Sequence, residues 1–598
     1  MEDHHSLKGY YQKIQSDARE YLTYNYGAVE VELIHFKKDE FPLSFSLPIK
    51  VEGKDFQLIL SLPSTFPDVF PKVSLDEESF KKIFPIPHLS MANDLCVFDS
   101  VQASPNPEHP IGVLDITIQK SLEILKQGLA GENHGDYTDE FHTYWVQESK
   151  EELLSIVSSS TIPKEVFIIP FNKKGWFYKR IFADSNIDAI KWLQNSGANI
   201  DDENVLSALY IPLTKPLEYP FPQKNKDIYN LVKKEPETLK ALTNFLSKNK
   251  RPSYVLFSVN VADDYAWGAW THNIPSKTEV LKYKGRKRTR NTLKGFRQNL
   301  TNPILELVRD FSNVSIDKYS IENVHKERLV VRGGDGSLEY HDSKVAVIGC
   351  GSVGSHLVQA LVDIKVSEIL LVDSDRLTFE NINRHLCGAS EVLVPKVQAV
   401  KDKIRRHDPS LMVHSTDSDV LKFLKNYPNA LNDFDFNIVA IANFPVEIRL
   451  NRMQHHDEIT KPVLYVWVEP YLAGGHAVWI DPRDKGCLRC LFDKGGQYRH
   501  EILMNGNLFT KRELGCNTSY VPYGVLELKR FILDLMFFIQ EQLGDNQRES
   551  RVFTWLGDLE QQRASGRVLK PKWIAAKSYS IRNSQLIKQH GCVHSHDL

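Results

Sequence analysis

The chain has 598 residues, which at about 150 residues per domain predicts three or four domains and excludes a single small binding module. Hydrophobic residues make up 42% and charged residues 25%, so the sequence can fill real cores and is neither disordered nor collagen-like. Lys and Arg number 74 against 76 Asp and Glu, and the formal charge of −2 argues against a protein built chiefly to bind nucleic acid.

The chain opens on a helical pattern over 9–25, with Tyr10, Ile14, Ala18 and Leu22 at helical spacing. Strands are expected at 29–35, 43–51 and 56–63, the last alternating as Phe56, Leu58, Leu60, Leu62. In Phe66-Pro67-Asp68-Val69-Phe70-Pro71-Lys72-Val73 two prolines mark an extended edge segment. A loop with Pro87-His88 and Cys96 follows, then a helix over 111–129 and another from Glu140. The stretch 162–260 is mixed, with a proline-rich patch at 212–222, and yields no chemistry. A basic run from Lys282 to Arg297 reads as a solvated loop beside a domain boundary, or else as a patch for an acidic partner; Tyr283 and Phe296 are too few for a base-stacking platform. No apolar run reaches the roughly 18 residues of a membrane span and the first residues are polar, which predicts a cytoplasmic protein.

From Lys344 the signal sharpens. Val345–Ile348 reads as a strand, Gly349-Cys350-Gly351-Ser352-Val353-Gly354 as a glycine turn, 355–364 as a helix and 368–372 as a second strand ending at Asp373. A G-x-G-x-x-G between strand and helix, with an acid 24 positions beyond Gly349, is the context that gives this motif meaning. Gly349, Gly351 and Gly354 let backbone approach phosphate, and the helix N-terminus opposes its charge. NAD would be the default ligand. The residues that follow point elsewhere: Asp373-Ser374-Asp375, then Asn381-Ile382-Asn383-Arg384, then Pro395-Lys396, resemble the superfamily of ThiF, MoeB and ubiquitin-activating enzymes. The resemblance implies a Rossmann-like α/β domain that adenylates a carboxylate with ATP and Mg2+. Asp373 would hold ribose, with Asn383 on the same motif, and Arg384 and Lys396 would hold the phosphates, because phosphoryl chemistry needs cations where charge develops. The superfamily carries a magnesium-binding Asp after the next strand; here the segment is Ala440-Ile441-Ala442-Asn443, which leaves Asp375 to hold the ion.

Seven cysteines, an odd number thinly spread, fit reduced thiols better than a disulfide framework. Cys487-Leu488-Arg489-Cys490 is half of a tetrahedral zinc site. The same superfamily implies a structural zinc there, completed by Cys592 and a C-terminal histidine such as His594. Cys516, in a polar glycine-bearing segment, lies where activating enzymes carry the thiol that takes the acyl group from AMP, and a thiol suits that role because its thioester stays reactive. Cys350 and Cys387 read as packing residues.

In that light residues 1–155 resemble the α+β ubiquitin-conjugating fold, with a helix, a meander, the Phe-Pro segment, Pro87-His88 and then Cys96 as the acyl acceptor. The order Pro87-His88-Leu89 departs from that fold's His-Pro-Asn, and Asn93 is the candidate replacement for its asparagine. The expected organisation is therefore a ubiquitin-conjugating-like domain at 1–155, a mixed linker domain at 156–325 and a ThiF-like adenylation domain at 326–598. An activating and a conjugating domain on one chain resemble the CD-NTase-associated bifunctional proteins of bacterial CBASS anti-phage operons. That resemblance implies that the C-terminus of a cGAS-like CD-NTase is adenylated, passed from Cys516 to Cys96 and joined to a target amine, by a homodimer that needs neither membrane nor nucleic acid. A sulfur-carrier adenylyltransferase with an N-terminal docking domain, and a noncatalytic nucleotide-binding scaffold, are the alternatives.

Overall fold

The computed structural model describes residues 7–32, 40–99, 103–200, 204–248, 252–261, 264–273, 312–333, 343–484, 486–493, 495–512, 519–544 and 549–587. Contacts gather them into two compact units: Met1–Pro170 with Trp176–Asn186 and Asp201–Val324, and Phe171–Gly175 with Ile187–Ile200 and His325–Leu598.

The first unit begins with the helix Leu7–Tyr26, which buries Ala18 and Leu22. Strands Leu43–Val51 and Lys54–Leu62 form a hairpin whose two-residue turn, Glu52-Gly53, has φ of 48° and 76°; both residues are left-handed, the geometry that matches strand twist. Lys72–Leu75 and Asp94–Leu95 extend this antiparallel sheet, and the segment expected to lie at its edge contributes a paired inner strand from Lys72 onward. The helix Pro110–Ala130 covers the sheet; Pro110 starts it without losing a needed donor and left-handed Gly131 (φ 72°) stops it.

The stretch that gave no chemistry is a closed barrel. Leu206–Leu213 pairs in parallel with Ser253–Val261 and antiparallel with Lys164–Asn172, so the order returns on itself through Asp264–His272, Asp317–Asn323, Glu152–Ser155 and Arg180–Ala183. Tyr210, Leu256, Trp267 and Ile321 fill its interior. Leu209, Ile211, Phe257 and Trp270 point outward and pack under helices Asn225–Val232 and Pro236–Lys248, and also against Phe141 and Trp145.

In the second unit Met412–Asp417, Glu368–Asp373, Lys344–Ile348, Phe436–Val439 and Val463–Val468 lie parallel in that order, continued antiparallel by Gly474–Ile480, Arg551–Leu556 and Ile581–Gln585. This is the Rossmann-like sheet expected from the glycine turn. Its order reverses between Lys344–Ile348 and Phe436–Val439, the place where open α/β sheets leave a crevice for a ligand. Among the described residues no helix is long and apolar enough to cross a membrane.

Candidate functional site

At the crevice Gly349 adopts φ 95°, and a Cβ there would lie 2.6 Å from the Ala440 carbonyl oxygen. A Cβ on Gly354 would lie 1.8 Å from the Gly349 carbonyl oxygen, so both positions admit only glycine. Gly351 is different: nothing stands within 4 Å of its would-be Cβ, and it caps the helix Ser352–Asp363 with no side-chain bond to the first amides. The turn is thus a tight cradle, open at Gly351, whose free N–H donors suit a phosphate.

Around the cradle the acids and bases are tied to one another. Asp373 ends its strand and accepts the Cys350 N–H at 2.6 Å and the Asp375 N–H at 2.8 Å, bracing both turns. Lys396, buried at the start of the helix Lys396–His407, donates its Nζ to Asp375 at 2.7 Å, while Asp375 itself is exposed. Arg384 donates to the Val521 carbonyl at 3.1 Å and stands beside the rings of Tyr520 and Tyr523. Asn383 is exposed on the same turn.

One residue here had no role in the sequence reading. His385 accepts the Cys387 N–H on Nδ1 at 3.0 Å, so its proton sits on Nε2, which donates to the Cys350 carbonyl at 2.7 Å. Burial holds this imidazole below its ordinary pKa, and the neutral ring pins the arginine turn to the glycine turn. Ser352 reinforces the link by donating to the Arg384 carbonyl at 2.6 Å.

Ala442 offers no metal ligand, and the next side chain, Asn443, accepts the Val446 N–H at 3.4 Å to cap the helix Phe444–His455. One turn on, Glu447 is buried, and desolvation pushes its pKa up to about 7. Asp375 has one oxygen on Lys396 and is otherwise exposed, so its other oxygen is a hard donor of the kind Mg2+ prefers. Cys487 and Cys490 are buried against each other in one short turn. Among the described residues no group of three or more His, Cys, Asp or Glu could hold a metal. Cys516, Cys592, His594 and the basic run 282–297 lie outside the described residues.

In the first unit Cys96 follows the short strand Asp94–Leu95 and opens onto a groove of about 1100 Å³. Phe70 and Phe98 stack at 3.9 Å beside it. Its N–H donates to the His88 carbonyl at 2.8 Å, and His88 takes the left-handed conformation, φ 63°. Two short helices hold that turn. Tyr144 accepts the His88 N–H at 2.7 Å and donates to Glu140 at 3.1 Å, and Asp136 holds the His88 ring at 2.9 Å. The thiol is raised above its ordinary pKa, first by desolvation, then by Glu140 and Asp99. Asn93, also left-handed at φ 67°, forms the turn between Ser90 and Asp94 and does not line the groove.

With both sites described, the comparisons fall into place. Residues 33–154 match prokaryotic E2 family B and residues 326–509 match the ThiF family. The chain is a fusion of an E2-like and a ThiF-family domain. The fusion is similar to the ATP-dependent ubiquitin transferase-like protein Cap2 of Escherichia coli (strain TW11681), 22% identical over 570 residues, 86% of this chain and 84% of that one. A Cap2 of Pseudomonas aeruginosa is 25% identical, over 34% of this chain and 37% of its own length. The SAMP-activating enzyme E1 of Haloferax volcanii is 28% identical, over 30% of this chain and 62% of its own length. The match thus spans less than two thirds of either of these last two relatives. Crystal structures of E. coli MccB overlap 42% of this chain and 66% of theirs at 14% identity, with a TM-score of 0.29, too slight a likeness to build on.

Proposed function

We propose that the fusion is an ATP-dependent protein-conjugating enzyme. The ThiF-like unit adenylates the C-terminal carboxylate of a partner protein, Cys516 takes the acyl group from AMP as a thioester, and Cys96 receives it for transfer to a target amine. The observation that carries this reading is the joint presence, on one chain, of a glycine-only phosphate cradle beside Arg384 and Lys396 and of a thiol opening onto a large groove. Gly349, Gly351 and Gly354 would face the phosphates, and Asp375 would hold Mg2+, which supplies charge neutralisation. Arg384 is bonded to Val521 and stands beside Tyr520, and both follow Cys516 in the sequence by a few residues.

The partner we favour is a cGAS-like CD-NTase of a CBASS operon, supported by the Cap2 relatives and the fused domains. A homodimer is supported by Leu526, Leu533 and Phe537, which are 76%, 60% and 64% exposed on one face of the helix Val525–Gly544. A structural zinc on Cys487 and Cys490, completed by Cys592 and His594, belongs to the same reading; metal analysis should find about one zinc per chain, and a zinc-free chain of full stability would exclude it.

Partner-dependent ATP–pyrophosphate exchange tests the adenylation step. Arg384→Ala and Lys396→Ala should each reduce exchange at least about 100-fold while leaving the fold intact, the scale expected when a charge-stabilising group is removed. Unchanged exchange in both variants would refute the ATP assignment.

A further inference from the structure

The two edges of the sheet in the second unit are built differently. At one edge, the strand Met412–Asp417, cations of the helix Lys396–His407 cover the rim: Arg405 donates to the Val413 carbonyl at 2.8 Å and Lys401 to the Ser415 hydroxyl at 3.2 Å. At the other, the strand Ile581–Gln585 is exposed at every position. Its inner pairing fixes which way each peptide group points. The Leu586 N–H donates to the Ser550 carbonyl and the Leu556 N–H to the Ser580 carbonyl, each at 2.9 Å, so Ser580, Arg582, Ser584 and Leu586 turn their backbone groups toward Arg551–Leu556. Ile581, Asn583 and Gln585 therefore turn theirs outward, where no described residue pairs with them. The strand holds no proline and no bulge, and Arg582 is its one charge, so the devices that usually blunt an edge are sparse here.

We propose that Ile581–Gln585 is the docking strand for an extended C-terminal segment of the partner protein, which adds antiparallel to it. The proposal rests on the reading of the second unit as a carboxylate-activating domain and names the surface that receives its protein substrate. Strand direction carries the argument. Two antiparallel steps separate Arg551–Leu556 from Val463–Val468, so it runs with the parallel strands, and Ile581–Gln585 runs against them. A segment added antiparallel to Ile581–Gln585 again runs with the parallel strands, and its C-terminus leaves the sheet at the end where the crevice lies. A segment added in parallel would send its carboxylate to the opposite rim.

Reach sets the kind of partner. From the added strand to Phe436–Val439 at the crevice is five strand spacings, about 24 Å, which about seven extended residues cross. With the residues that pair, the partner needs a tail of about 12 residues free of its own fold. A ladder made of backbone groups tolerates many side chains, so the tail is chosen by length and extension first, and an acidic residue over Arg582 adds a favourable pair.

Deuterium uptake, read by peptide mass spectrometry on the full chain with ATP, Mg2+ and the candidate CD-NTase, tests this beside the same CD-NTase lacking about its last 12 residues. The intact partner should slow uptake at the outward amides of Ile581, Asn583 and Gln585 about tenfold or more, and the truncated partner should not. Asn583→Pro removes an outward donor and leaves the inner pairs in place, as proline on an edge strand does. It should raise the KM for the partner in ATP–pyrophosphate exchange about tenfold, whereas Asn583→Ala, which keeps the donor, should not raise it. Unslowed uptake while pyrophosphate exchange proceeds would overturn the proposal and leave the activation reading standing. Slow uptake without any partner, lost on dilution, would assign the edge to a second copy of this chain and overturn it too. Slow uptake with the intact tail but no pyrophosphate exchange would leave the docking strand standing and refute the activation reading. A CD-NTase that neither slows uptake nor supports pyrophosphate exchange would refute both.

Discussion

Desolvation first, then Glu140 and Asp99, raise the Cys96 thiol above the ordinary cysteine value, so little thiolate stands ready at neutral pH. The sign of the effect is testable. Iodoacetamide labelling of Cys96 should be slower than that of free cysteine at pH 7 and reach half its maximum above pH ~8.5, and Glu140→Gln should move that midpoint down. A midpoint below 7 would contradict the acidic setting. Cys96, Asp373, Asp375, Arg384 and Lys396 could be singled out from sequence because they stand in short consecutive motifs, and the structure places Cys96 on the groove and the other four around the glycine turn. Tyr144 and His385 were not, because each acts through a partner far along the chain: Tyr144 on His88, 56 residues away, and His385 on Cys350, 35 away. Glu447 looked like any helical acid until the fold buried it.

At the scale of elements, the strand, glycine turn and helix around the cradle were read almost to their ends. The helix was expected from residue 355 and begins at Ser352, within the glycine motif, which brings its first amides into the cradle. Gly354 is therefore a helical residue, and its lack of a side chain lets the helix close on the Gly349 carbonyl. Gly354→Ala should cost about 1–3 kcal/mol of stability in this unit, as overpacking does, and should abolish ATP binding measured by calorimetry. Wild-type affinity in this variant would mean that the cradle is not the phosphate site. The barrel was illegible for a physical reason. Ser253–Val261 is buried at seven successive positions, from Ser253 to Val259, because helices cover the outer face while side chains fill the inner one. Such a strand loses the two-residue alternation that Lys54–Leu62 begins with at Phe56 and Leu58, and its period cannot be told from a buried helix. Glu152–Ser155 and Arg180–Ala183 are only four residues each, too short to show a pattern at all.

At the scale of the whole molecule, one chain carries a glycine-only cradle in the second unit and a thiol groove in the first. The docking-domain alternative predicts no acyl transfer through Cys96, and the nucleotide-binding scaffold, which would share the cradle, predicts no pyrophosphate exchange. The central claim is that an acyl group passes in order from AMP to Cys516 to Cys96, and the order has a direct readout. Unmodified chain, Cys516→Ala and Cys96→Ala are each incubated with ATP, Mg2+ and the candidate CD-NTase, and run on gels with and without reducing thiol; a thioester is cleaved by thiol, whereas an amide product survives it. All three should release pyrophosphate. Cys516→Ala should form no enzyme thioester, Cys96→Ala should accumulate one on Cys516, and only the unmodified chain should yield the thiol-resistant conjugate. Conjugation by Cys96→Ala at the normal rate would contradict the account.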